Sequence, residues 1–276
     1  MTTCYFVSDL HGNKLKYELL IREITRNKPS FLFLGGDLLP HVRYSDKQKS
    51  NDVNPFIKEF LIPLFKNMQK QLGCNYPEVY LILGNDDYKA DIPGFLEGVD
   101  RDLWKFLNSN NVRFGPYNIY GYSYVPPTPF RLKDWEKYDI DKTINAGSIS
   151  PDEGFRSVPV EPDELPMIMD DLYALAGDNS MEKAIMLIHT PPYNSLLDQI
   201  HGGVSIGSKA VARFIEEKQP YITLHGHAHE SSTLTGNWRQ QFNRTHAFTA
   251  AYDGKGLALV IFQIDDPQKA ERRIIE

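Results

Sequence analysis

Cys4-Tyr5-Phe6-Val7-Ser8-Asp9-Leu10-His11 decides how the rest of the chain is read. A short apolar run carries the signature of a buried strand, and an aspartate and a histidine follow where that strand must end. The same arrangement recurs further on. Phe31 to Leu34 runs into Gly35-Gly36-Asp37, and Val79 to Leu83 into Gly84-Asn85-Asp86-Asp87. Ile185 to Ile188 meets His189, and Tyr221 to Leu224 leads to Gly226-His227-Ala228-His229. Strand ends in α/β folds deliver loop residues into a shared crevice, so positions far apart in sequence can meet there. The glycines before Asp37, Asn85 and His227 permit tight turns and close backbone approach to a ligand.

Imidazoles beside hard oxygen donors suit divalent transition metals, with carboxylate able to bridge two of them. Taken alone, Asp9 reads as a turn or helix-cap residue and His189, before Thr190-Pro191-Pro192, as a turn histidine. Taken together and in this order, the blocks read as a metal centre.

The elements between the blocks alternate. Asn13 to Arg26 predicts a helix with Leu15, Leu19, Leu20 and Ile24 on one face, and Tyr44 to Asn54 predicts a loop. Pro55 to Leu72 predicts an amphipathic helix through Phe56, Phe60, Leu64 and Met68. Val99 to Leu107 reads as helix and Tyr117 to Val125 as strand. Helices are expected over Glu164 to Leu175 and Ser208 to Glu217, and antiparallel strands after His229, including Leu257 to Ile264. Strands alternating with helices predict a layered α/β fold. Residues 126–166, rich in proline, charge and aromatics, read as an insertion over one face of a single domain, and segments of this length are often functional.

Bulk properties narrow the class. At 276 residues, 41% hydrophobic and 24% charged, the chain has the make-up of an ordinary globular protein. Its 30 basic and 36 acidic residues leave a net charge of −6, which argues against electrostatic capture of nucleic acid. Cys4 and Cys74 make no disulfide framework. Apolar runs such as Leu257 to Phe262 are too short to span a bilayer, and a strand begins directly after Met1-Thr2-Thr3. A cytoplasmic protein is expected. Oligomeric state is not legible.

Over Asp9 to His229 the chain resembles the calcineurin-like metallophosphoesterase superfamily, whose members carry the same blocks in the same order. The resemblance implies a four-layer α/β/β/α sandwich and a dinuclear centre of Mn, Fe or Zn. It implies one metal held by Asp9, His11, Asp37 and His229, and a second held by Asp37, Asn85, His189 and His227, with Asp37 bridging. Two such cations roughly 3.5–4 Å apart clamp a phosphoryl oxygen and acidify a bridging water, whose hydroxide attacks phosphorus in line. The substrate is then a small phosphate ester. Asn85 would also contact it.

One block departs from the pattern. Where relatives have histidine after the glycine and asparagine, this chain has Asp86, followed by the expected acid, Asp87. That histidine is thought to stabilise the transition state or protonate the leaving group. Beside two cations, Asp86 should have a lowered pKa and no proton to give. Loss of general acid–base help costs roughly a hundred- to ten-thousand-fold, most for poor leaving groups. A diester carries less charge for Asp86 to repel, so phosphodiesterase activity is the preferred expectation, with Asp86 and Asp87 as its catalytic-position residues. The alternatives are a non-catalytic metal-binding scaffold of the same fold and a nuclease, the latter disfavoured by the acidic balance.

Secondary candidates are Ser208, a helix N-cap whose helix end could bind substrate phosphate, and Asn194 and Tyr193 as crevice residues. His201, His225 and Tyr193 are potential replacements for the histidine. Arg131, Lys133 and Arg156 could steer anions, and Glu230 could orient a ligating imidazole.

Overall fold

The computed structural model describes residues 2–41, 54–159 and 167–276. With strands and helices numbered along the chain, one six-stranded sheet contains β1 (Thr3–Val7), β2 (Phe31–Gly35), β3 (Glu78–Ile82), β4 (Lys105–Phe106), β13 (Leu257–Gln263) and β14 (Asp266–Ile275), in the order β14-β13-β1-β2-β3-β4. Strands β1 to β4 are parallel, and β13 and β14 add antiparallel partners at one side. The second six-stranded sheet has the order β11-β12-β10-β7-β6-β5, from β5 (Asn111–Phe114), β6 (Tyr117–Tyr122), β7 (Ala184–Ile188), β10 (Ile222–His225), β11 (Arg239–Phe242) and β12 (Thr245–Thr249). Here β6, β7, β10 and β12 are parallel. A small hairpin pairs β8 (Gln199–Ile200) with β9 (Val204–Ser205).

Side-chain alternation explains how the sheets stack. Strands buried on both faces read as continuous apolar runs, and successive residues serve opposite layers. Cys4, Phe6, Phe31, Phe33, Tyr80 and Ile82 point inward to meet Ile185, Leu187, Ile222 and Leu224 of the other sheet. Their neighbours Tyr5, Val7, Leu32, Leu34, Val79 and Leu81 pack outward. They face helices α1 (Lys14–Asn27), α2 (Ile62–Leu72) and α3 (Ile92–Val99). On the far side Tyr120, Tyr122, Met186 and Ile188 meet α4 (Ile168–Ala176) and α5 (Lys209–Lys218). The result is the expected α/β/β/α sandwich, with a short α6 (Ser231–Thr235) after the last block.

Local differences have local causes. The expected helix over Val99 to Leu107 is displaced: α3 starts at Ile92, with Pro93 in its first turn, and stops at Val99. There Leu103 donates its N–H back to Gly98 O, and a left-handed Asp102 turns the chain into β4. The Trp104 ring packs onto Gly98, 2.0 Å from where a Cβ would lie, so the approach requires glycine there. The helix expected from Pro55 opens with a π-helical turn, Ile57–Leu61, before α2. Apart from Asn54, the loop expected over 44–54 lies outside the described residues, as do 160–166 of the insertion.

The described part of that insertion is more ordered than its composition suggested. Trp135 is fully buried against Tyr124, and Lys133 is sealed in an ion pair with Glu136 at 2.6 Å. Asp134 accepts the backbone N–H groups of Lys89 and Ser157. Lys133 therefore steers no anion. Arg156 is likewise committed, to the carbonyls of Lys133, Glu136 and Pro151. Arg131 is exposed.

Candidate active site

All the blocks emerge at the C-terminal ends of β1, β2, β3, β7 and β10, neighbours in their respective parallel arrays. Backbone pairing continues past the strands and holds the loops in register. Asp9 N–H donates to Gly36 O at 3.0 Å, His11 N–H to Asp37 O at 2.9 Å, and Gly226 N–H to His189 O at 2.9 Å. Asp9, His11, Asp37 and His227 have positive φ, of 56°, 44°, 53° and 70°. Left-handed backbone at non-glycine residues costs of order 1–3 kcal/mol each and persists where surrounding structure enforces it, commonly at functional sites. At Gly84 the requirement is proximity, since a Cβ would lie 2.2 Å from Asp37 Oδ1.

Candidate ligand atoms of Asp9, His11, Asp37 and His229 all lie within 4.8 Å of one another. His229 Nε2 is 3.1 Å from Asp9 Oδ1 and 3.2 Å from His11 Nε2. A second group adjoins through Asp37. Its Oδ2 is 3.3 Å from His189 Nε2, which is 3.2 Å from Asn85 Oδ1, itself 2.7 Å from His227 Nδ1. The other nitrogen of His189, Nδ1, lies 2.7 Å from Gly35 O. Such a carbonyl contact fixes a tautomer and leaves Nε2 facing the carboxylate.

The electrostatics favour added positive charge. Burial works against ionisation of Asp9, but the hydrogen bond and charge of His229 pull its pKa down to about 2. Burial opposes Asp37 likewise, and the charge and hydrogen bond of His189 hold it well below the carboxylate range. In return, against burial, Asp37 lifts His189 to about 10, and Asp9 lifts His229 to about 9. Burial lowers His227 to about 3. Asp9 Oδ2 is buried without any hydrogen-bond partner. An orphaned carboxylate oxygen is costly unless a cation meets it, so this donor set fits divalent ions.

Asp86 sits at the rim. Its N–H donates to Asp37 Oδ1 at 2.8 Å, and its Oδ2 lies 3.6 Å from His11 Nδ1. Burial, then the charges of Asp37 and Asp87, push its pKa up to about 8. Those neighbours are the carboxylates the fold itself supplies, whereas the lowering expected for Asp86 belongs to the site with two cations bound. Asp87 is fully buried and accepts N–H bonds from Leu38, Leu39 and Gly84 at 2.9–3.1 Å, tying the β2 and β3 loops together.

A residue that sequence reasoning missed stands beside Asp86. His41 stacks on His11 with ring centroids 4.9 Å apart, and its Nε2 is 3.5 Å from Asp86 Oδ2. It is 68% exposed on the open side of the site. No block contains it. Its position four residues after Asp37 was the only signal.

Other candidates are placed elsewhere. Ser208 is fully buried and caps α5, accepting Val211 N–H. The helix end expected to bind phosphate is filled by the Asp139 carboxylate, which accepts from Ser208 Oγ, Lys209 N–H and Ala210 N–H. Ser208 is therefore no substrate contact. Asn194 is an exposed turn residue with φ 55°, its N–H donated to Asp198, and it is absent from the lining of the cavity over the blocks. Tyr193 lies under Lys209 instead. His225 is sealed against Ile188 O, Thr190 O and Thr223 Oγ1, and burial lowers it to about 4. His201 is exposed in the β8–β9 turn, and Glu230 lines the cavity.

The sequence profile described as Calcineurin-like phosphoesterase matches residues 2–231. The chain belongs to this family. As a member, it is a hydrolase of phosphoric esters with candidate metal-ligating groups at its strand ends. No curated protein matches it. Solved structures do. One chain of 13% identity covers 100% of this phosphoesterase and 99% of its own length at a TM-score of 0.65. The protein TT1561 of Thermus thermophilus is 14% identical, covering 100% of this chain and 99% of its own at 0.58. A dimetal phosphatase from Danio rerio is 9% identical, with coverages of 94% and 91% and a TM-score of 0.51. At such identities the likeness shows the fold alone. Among the described residues, no helix is long and apolar enough to cross a membrane.

Proposed function

We propose that this phosphoesterase hydrolyses phosphodiesters at a pair of divalent cations, Mn, Fe or Zn. One would be held by Asp9, His11, Asp37 and His229, the other by Asp37, Asn85, His189 and His227. When bound, such ions supply Lewis acidity to a phosphoryl oxygen and an activated water for in-line displacement. The protein's own contribution is orientation. Asp87 positions the Asp37 loop through its backbone hydrogen bonds, and His189 is oriented by Gly35 O. Asn85, between His189 and His227, would contact substrate as well.

The observation carrying the diester reading is Asp86. Its carboxyl group lines the cavity beside Asp37, and no lysine or arginine lines that cavity among the described residues. With two cations bound, an ionised Asp86 repels a dianionic monoester more than a monoanionic diester. His41, exposed with its Nε2 3.5 Å from Asp86 Oδ2, is the imidazole to which we assign hydrogen-bond donation to the leaving-group oxygen.

The test is hydrolysis of an aryl phosphodiester after manganese reconstitution, wild type against Asp37→Asn. Turnover should fall at least about a hundredfold in the variant, as expected for losing a shared ligand. Equal rates would sink the proposal.

A further inference from the structure

We infer that the organic group of the ester, on the reading that this site cleaves phosphodiesters, is an uncharged and largely apolar moiety of aromatic size. Its seat is a cavity of about 360 Å³ that opens on Asp37, Asn85, Asp86, His227 and His229. Two walls rise from that floor. Pro127 and Phe130 of the insertion form one, and Ile200, Val204 and Ile206 of the β8–β9 hairpin form the other.

The chemistry of the walls selects the guest. Among the described residues, the only ionisable group lining the cavity beyond the reaction centre is Glu230, and the remaining polar liners, such as Asn145, are neutral. A second phosphate on the substrate would find Asp86 and Glu230 and, among the described residues, no lysine or arginine in the lining, which disfavours oligonucleotides and nucleoside polyphosphates. Phe130 and Val204 are 57% and 51% exposed at the cavity mouth. Large apolar side chains grouped around a reaction centre mark a surface that a ligand covers.

The walls are preformed. Phe130 N–H donates to Thr128 Oγ1 at 3.1 Å, and Thr128 N–H donates to Glu136 Oε2 at 2.8 Å. Glu136 is anchored in turn by buried Lys133. Across the cavity, Ile206 N–H donates to Asp198 O at 3.0 Å, and Gln199 N–H to Ser231 Oγ at 3.2 Å. A rigid apolar slot gains affinity because little ordering is needed when the guest arrives.

Binding separates this inference from the reaction. Diphenyl phosphate and dimethyl phosphate carry the same single charge and differ in apolar area. Calorimetric titration of the manganese-loaded protein should show diphenyl phosphate bound about tenfold or more tightly. Phe130→Ala, at an exposed position, should remove most of that difference and leave dimethyl phosphate affinity unchanged. Equal affinity for both phosphates, or a preference that Phe130→Ala does not alter, overturns the inference. Tight diphenyl phosphate binding without turnover of any diester would instead retain the slot and refute the diesterase reading.

Discussion

At the scale of single residues, the chemistry turns on what stands near Asp86. A carboxyl group there cannot do the work of an imidazole, yet His41 brings one within 3.5 Å from a different loop. If His41 donates a hydrogen bond to the departing oxygen, the demand is greatest for a poor leaving group. His41→Ala should therefore slow an alkyl methyl diester by about a hundredfold, the usual cost of one donor to developing negative charge. An aryl diester should lose far less. Equal slowing of both would show that His41 only packs against His11. Asp87 belongs at this scale too: it matches the family's acidic position, but its buried oxygens are spent on backbone N–H groups, so it shapes the site through Asp37.

Among elements, the insertion matters most. Its polar knot of Lys133, Glu136 and Thr128 lies inside the protein and carries the Phe130 wall. Breaking a buried ion pair strands the surviving charge, at a cost of about 3–5 kcal/mol. Lys133→Met should lower the unfolding free energy by that much in a denaturant titration, and the double variant Lys133→Met/Glu136→Leu should recover most of it. An unaltered stability in the single variant would show that the pair is accessible to water. The same segment supplies Asp139 to the N-terminus of α5, which explains why that helix end cannot serve a substrate phosphate.

For the whole molecule, the centre ties both sheets together, since Asp9, Asp37 and Asn85 leave one and His189 and His227 the other. Ligands that bind only the folded state stabilise it, by about 2.7 kcal/mol per site at a hundredfold excess over Kd. Adding a chelator to the manganese-loaded protein should lower Tm by roughly 5 °C or more, and an unchanged Tm in calorimetry would contradict this coupling. The core makes a second, independent prediction. Cys4 is buried, and burial raises its thiol pKa well above the ordinary value, whereas Cys74 is exposed. A thiol reagent should label one cysteine in the native protein and both in denaturant. Rapid native labelling of Cys4 would mean that the sheets open readily.

The sequence by itself determined the layers and the positions of the metal-type residues. Apolar runs ending in Asp9, Asp37, Asn85, His189 and His227 are local signals: each strand is buried on both faces, and each loop follows its strand. Residues whose roles depend on distant partners were not legible. Nothing near His41 in the chain announces Asp86 or His11, and nothing near Ser208 announces the Asp139 carboxylate that closes its helix end. Lys133 reads as a solvated cation until Glu136 and the surrounding wall bury it. Only the tertiary structure decided these, because burial and charge pairing arise from what folds over a residue, and a linear pattern carries no record of that cover.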